Sequence, residues 1–192
     1  MAAGKIVTGF SKPYVAKYAF DTDVSYTSGQ LLSQGVDIAE SVEQADDNNF
    51  YADNVTSETE DGIFTSGELA LTVKGLDPAA ETLIMGLPAA GTDGFTTYDD
   101  DQSVPECGFG CVVRYQKDGV VTYTPIIWPR GTFQFVTVNA ATQEENIDFQ
   151  TQALTFNIKR SEAAKRPWKK VGAECQTEAA AEDAIKEFFG IQ

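Results

Sequence analysis

Residues 111–128 read CVVRYQKDGVVTYTPIIW. Two runs rich in β-branched and aromatic residues, 111–115 and 120–128, flank Lys117-Asp118-Gly119. Glycine takes positive φ freely, so the trio predicts a tight turn and the flanks predict an antiparallel hairpin. A lone hairpin is barely stable in water, so further strands must cover it.

Such strands are present on both sides. In ELALTVK (68–74), Leu69, Leu71 and Val73 alternate with Glu68, Ala70 and Thr72. In ALTFNIK (153–159), Leu154, Phe156 and Ile158 alternate with Thr155 and Asn157. In VDIAESV (36–42), Val36, Ile38 and Val42 share one face, while Asp37, Ala39 and Ser41, followed by Glu43, share the other. In TFQFVTV (132–138), Phe133 and Phe135 have one parity and Val136 and Val138 the other, which predicts a bulge or bend near Phe135.

Two helices complete the pattern. Asp77-Pro78 is an N-cap followed by proline at the first helical position, with a stop near Gly86 and an apolar stripe of Ala80, Leu83, Ile84 and Leu87. TEAAAEDAIKEFFG (177–190) is capped by Thr177, carries its acids early and ends at Gly190. Its buried face is Ala181, Ile185, Phe188 and Phe189. The expected fold is mainly β, of the α+β kind. It is one domain over 1–192, with an N-terminal arm at 1–12, a long extended hairpin or loop at 44–67, and a basic segment with a C-terminal helix at 159–192. Residues 91–108 form a second long loop, a length that is usually functional or disordered.

The chain has 192 residues, a net charge of −15 and a pI of about 4.2. That balance argues against binding nucleic acid by phosphate neutralisation and against adhesion to anionic membranes. No apolar run approaches the roughly 20 residues of a membrane span, and MAAGKIVTGFSKPY lacks the core of a secretory signal, so a cytoplasmic protein is expected. The sequon at Asn54 is then incidental. The three cysteines are expected to be reduced packing thiols. On a strand, Cys107 and Cys111 lie ~13 Å apart, too far for a disulfide. Histidine is absent, which removes the usual base of serine and cysteine hydrolases.

Charge is strongly segregated. Residues 18–73 hold twelve acids and no Lys or Arg, while KRSEAAKRPWKK (159–170) holds six cations and one acid. No motif for chemistry survives inspection. Asp47, Asn49, Asp53 and Glu58 fall at calcium-loop positions, but Tyr51 and Ala52 stand where a ligand and a glycine are needed. GFGCVV has no third glycine and no helix after it. Asp99-Asp100-Asp101 reads as a solvated turn. Trp128-Pro129-Arg130 and Pro167-Trp168-Lys169 read as core or subunit contacts. No enzyme, metal or cofactor is expected.

The words GFSKPYVAKY (9–18), DDNNFYADN (46–54), GLPAAG (86–91), VVRYQKDGVVTYTPIIWPRGTF (112–133), AATQEENIDFQTQALTFNI (140–158) and WKKVGAE (168–174) together resemble one family. It is the major tail proteins, or tail tube proteins, of siphovirus-type long-tailed bacteriophages and prophages of Gram-positive bacteria. The resemblance runs from about Gly9 to Phe189. It implies a β-sandwich or rolled sheet with a flanking helix. Six copies would form a ring, the rings would stack into a hollow tube, and strands from all six would close a barrel around the lumen. The partners implied are the chain itself, a tape measure protein and tail tip or terminator proteins. Double-stranded DNA would be transient cargo without specific binding, no membrane would be involved, and the product would be made in the host cytoplasm and end in the virion tail. The alternatives are a tube of a contractile injection or secretion system, or an Ig-like binding module.

On that reading residues acquire places. Asp37, Ala39, Ser41, Glu43, Glu68, Ala70 and Thr72 are expected to face an acidic lumen, with Val36, Ile38, Leu69, Leu71 and Val73 facing the core. Asp46, Asp47, Asn48, Asn49, Phe50, Tyr51, Asp53 and Asn54 are expected at an inter-ring interface, with Phe50 and Tyr51 as anchors. Lys159, Arg160, Lys165, Arg166, Lys169 and Lys170 are expected to meet acids of an adjacent copy, setting register and speed more than affinity.

Overall fold

The computed structural model describes residues 4–46, 48–52, 55–60, 63–88, 91, 94–138 and 150–191, with only the backbone course for 48–52 and 55–60. The elements in order are β1 (Ile6–Phe20), β2 (Val24–Leu31), β3 (Gly35–Gln44), β4 (Asn48–Ala52), β5 (Val55–Glu60), β6 (Phe64–Val73), α1 (Pro78–Met85), β7 (Cys107–Lys117), β8 (Val120–Phe133), β9 (Gln152–Lys159), β10 (Lys170–Val171) and α2 (Glu178–Phe189). The fold is mainly β with two helices, as expected.

The expected turn forms at residues 118 and 119. Asp118 and Gly119 both have positive φ, 48° and 81°, which is the requirement of a two-residue type I′ turn. It joins β7 to β8, and antiparallel pairing then spreads in the order β2-β1-β7-β8-β9-β6-β3, with β10 beside β8. Two prolines sit inside β8. Gly172 donates to the Pro125 carbonyl and Tyr26 Oη to the Pro129 carbonyl, so both prolines turn their polar edge away from the β7 ladder.

The sheet rolls on itself. Phe10 of β1 lies against Gly35 at the start of β3, so tightly that a Cβ there would collide with its ring. The main core fills the roll. Val15, Phe109, Cys111, Val113, Ile126 and Trp128 come from one half of the sheet, and Leu69, Leu71, Leu154, Phe156 and Ile158 from the other. The side chains of α1 join them through Ala80, Ile84 and Met85. A second cluster lies on the outer face of β1, β7 and β8, where Tyr14, Ala16, Val112 and Ile127 meet Ala181, Ile185 and Phe189 of α2.

Several expectations need correction. Val36 is 56% exposed, because the register between β3 and β6 shifts between Gly35 and Asp37 and takes it out of the core parity. Residues 6–12 are not a free arm but the first rungs of the β1–β7 ladder. The strand expected over 132–138 ends at Phe133, and Phe135 is 64% exposed. Beyond Gln134, whose N–H reaches Thr155, this segment has no ladder partner among the described residues, and of its apolar side chains Val136 alone packs against the main core among those described. Of residues 44–67, the described ones pair as an antiparallel hairpin. The β3–β6 ladder passes through a bond from the Ala45 N–H to the Ile63 carbonyl and resumes as β4–β5.

Candidate assembly surfaces

The two halves of the sheet are finished differently. The outer face of β1, β7 and β8 is sealed by α2, and no element among the described residues covers the outer face of β3, β6 and β9. Its rungs are Asp37–Thr72–Ala153, Ala39–Ala70–Thr155 and Ser41–Glu68–Asn157, all exposed or half-exposed. Glu43 adds a carboxylate that accepts from Ser66 Oγ at 2.6 Å. The seven residues expected on one polar face therefore do share one. Small side chains and acids make it flat and negative.

Arg130, Lys159, Arg160 and Arg166 border this face beside Ser41, Glu43 and Glu68, and the first two share one carboxylate. Glu106 accepts from Arg130 Nε at 2.6 Å and from Lys159 Nζ at 3.1 Å. Burial raises the Glu106 pKa, but these hydrogen bonds and charges outweigh it and hold the carboxyl below its ordinary range. Arg130 also meets Glu162 at 3.2 Å and lies over the Tyr18 ring.

The root of the hairpin arm is clamped by the basic segment. Phe64 stacks on Trp168 with centroids 4.6 Å apart and planes 6° from parallel. Arg160 lies over the Phe64 ring at 5.7 Å and donates to the Phe64 carbonyl. Lys169 sits 5.4 Å from the Trp128 ring and 5.9 Å from the Trp168 ring, and it pairs with Glu40. Glu40 also accepts from Trp128 Nε1 at 2.8 Å. Glu40 lies opposite Leu69, on the core parity that it shares with Ile38 and Val42, and its partners there are what alternation did not reveal.

Of the six cations expected to form an assembly patch, four thus act within the chain. Lys159 holds Glu106, Arg160 holds Phe64, Lys169 holds Glu40, and Lys170 lies 4.8 Å from the Phe188 ring. Lys165 and Arg166 are exposed in left-handed backbone, φ 65° and 46°, with no side-chain partner among the described residues. Asp46 is exposed, and Asn48, Asn49, Phe50 and Tyr51 lie on β4, where only the backbone is described. Asp47, Asp53 and Asn54 fall outside the described residues.

The helix α2 is anchored by charge as well as by its apolar face. A bulge at Lys12, φ 53°, shifts the β1–β7 register, and Lys12 Nζ reaches Glu182 at 3.0 Å. Tyr14 Oη donates to Glu182 at 2.6 Å, Lys186 Nζ lies 2.9 Å away, and Ser11 Oγ donates to Glu178 at 2.5 Å. Burial works to raise the Glu182 pKa, but these three partners bring it down to about 2. Burial and the same carboxylate push the Tyr14 phenol up. Gly108 and Gly110, the GxG pair of the sequence, let this helix close on the sheet. A Cβ at Gly108 would stand 2.7 Å from both the Phe189 and Tyr26 rings.

Nothing in the described residues gathers into a reactive centre. No group of three or more His, Cys, Asp or Glu able to hold a metal occurs among them. Cys107 and Cys111 are buried in the main core, and burial pushes the Cys107 thiol up to about 12, away from the reactive thiolate. No helix among the described residues is long and apolar enough to cross a membrane. In comparisons with known proteins, the chain matches no family model and no curated sequence.

Proposed function

We propose that the chain is the structural subunit of a phage tail tube, built of hexameric rings that stack around an acidic lumen and conduct DNA during ejection. It works by shape and charge, without catalysis or a cofactor. The observation that carries the reading is the polar face of β3, β6 and β9, which no element among the described residues covers. A monomeric domain has little reason to seal one outer face with a helix and leave the other flat, polar and uncovered. A wall that DNA must pass without sticking needs such a surface, because each unpaired cation would bind phosphate and release counterions. The sheet also ends in two strands, β2 and β3, with no further strand beside them among the described residues, and such edges are ready to pair with another copy. The arm continuing from β3 and β6 supplies a second, separate contact.

Negative-stain electron microscopy of the concentrated protein, beside a size-exclusion profile, tests the reading. Rings or hollow tubes are expected. A monodisperse monomer at every concentration, with no polymer when tail tip proteins are added, would refute it.

A further inference from the structure

The edge strand β2 carries one residue more than its partner. Val15 stands opposite Gln30 and Lys17 opposite Thr27, which leaves Ser28 and Gly29 against the single Ala16 of β1. This is a β-bulge, and Ser28 takes it in left-handed backbone, φ 54°. A non-glycine residue keeps that conformation only where its surroundings impose it. Here the surroundings come from α2. The helix closes with a Schellman turn, in which the Gly190 N–H donates to the Glu187 carbonyl, the Ile191 N–H donates to the Lys186 carbonyl, and Gly190 is left-handed at φ 65°. The turn folds Ile191 back over the sheet and onto Gly29. A Cβ at Gly29 would stand 2.4 Å from Ile191 Cγ1 and 3.4 Å from Ala16 Cβ. On the other side of the bulge, Tyr26 meets the rings of Phe188 and Phe189, with centroids 5.3 and 4.9 Å away. The end of α2 therefore straddles the bulge.

We propose that Ile191, seated on Gly29, is a clasp that locks the register of β2. The alternative pairing has no bulge. With residues 24–27 left in place, Ser28 would stand opposite Ala16, Gly29 opposite Val15 and Gln30 opposite Tyr14. Ser28 would then put a Cβ and a hydroxyl where Ile191 sits. The observed pairing places there the one residue of β2 that has no side chain. Ile191 thus excludes a one-residue slip, which would turn residues 29–31 to the opposite face of the sheet. The choice matters because β2 is an edge. No further strand lies beside it among the described residues, so no neighbour on that side fixes its register. The clasp keeps Leu31 opposite Tyr14, and with it one set of side chains along the free edge. What that edge then offers to another copy rests on the tube reading above; the clasp itself is a property of the single chain.

Ile191→Ala removes the clasp. NMR of the labelled full chain, below the concentration at which it associates, should then show cross-strand contacts of Tyr14 with both Leu31 and Gln30. Amide hydrogen exchange over Val24–Leu31 should rise at least about tenfold, while β9 keeps the parental rate. Gly29→Ala, which pushes Ile191 off its seat, should have the same two effects. Deleting Ser28 removes the extra residue and leaves Gly29 opposite Ala16. Combined with Ile191→Ala, this deletion should return the single Tyr14–Leu31 pairing. If either substitution keeps only the Tyr14–Leu31 contact, or if exchange rises equally in β9, α2 stabilises the sheet without selecting a register and the inference is wrong. A combined variant that folds and still shows both pairings would overturn it as well. A parent that never forms tubes would refute the tube reading and leave the clasp standing.

Discussion

Gly110 and Glu182 hold the same helix by different means. Glycine at 110 is required by what lies above it, since a Cβ would stand 3.0 Å from the Phe189 ring and 3.1 Å from Ile185. Valine suits a strand by propensity, but the steric conflict is larger. Gly110→Val should cost about 1–3 kcal/mol in denaturant unfolding; an unchanged midpoint would mean that α2 does not pack as described. Glu182 makes the charged half of the anchor. Its folded pKa of about 2 lies below its ordinary 4.5, so the unfolded chain takes up the proton first. The stability it contributes is complete above pH 4.5 and is lost as pH falls through 2. Stability curves from pH 6 to 2 should therefore drop less steeply for Glu182→Gln than for the parent, and parallel curves would exclude this role.

At the scale of elements, β6 and β9 were legible in the sequence because their ladder is unbroken, so parity translates directly into face. β3 was legible only in part. A register shift beside Val36 and a carboxylate at Glu40 inside the core parity both depend on partners that local alternation does not encode. The GFGC stretch was read as a failed phosphate loop. Its glycines answer to a helix some 70 residues later, a signal no short window contains. The basic run had the same difficulty, since Glu40, Glu106 and Phe64 are its partners and are remote in sequence. One consequence is testable. The Phe64–Trp168 stack joins the basic segment to the base of the arm, and such ring pairs contribute about 1 kcal/mol. Trp168→Ala should leave the sheet folded and speed proteolytic cleavage within 45–62 roughly fivefold. Cleavage at the parental rate would show that the arm is held elsewhere.

Seen whole, the molecule separates its tasks by face and by end. One outer face is closed by α2, the other is uncovered among the described residues, and the arm leaves from one end of the roll. The bare face should then tolerate changes that leave the fold alone yet alter what adheres to it. Ala70→Lys places one cation on the rung with Ala39 and Thr155. Assembled tubes of this variant should co-sediment with double-stranded DNA at low salt and release it as salt rises, while parental tubes should leave it in solution. Equal retention by both would contradict a repelling wall.

The bond of Glu106 to both Arg130 and Lys159 bears on motion as much as on structure. A chain of phosphates sliding past these two side chains would find their two positive charges facing two carboxylates, Glu106 and Glu162, with the Glu106 carboxyl held ionised to lower pH than usual. Each encounter would be brief, and the wall would add little drag of its own. Transit would then be governed by the viscosity of the water between the two negative surfaces rather than by a succession of small captures and escapes.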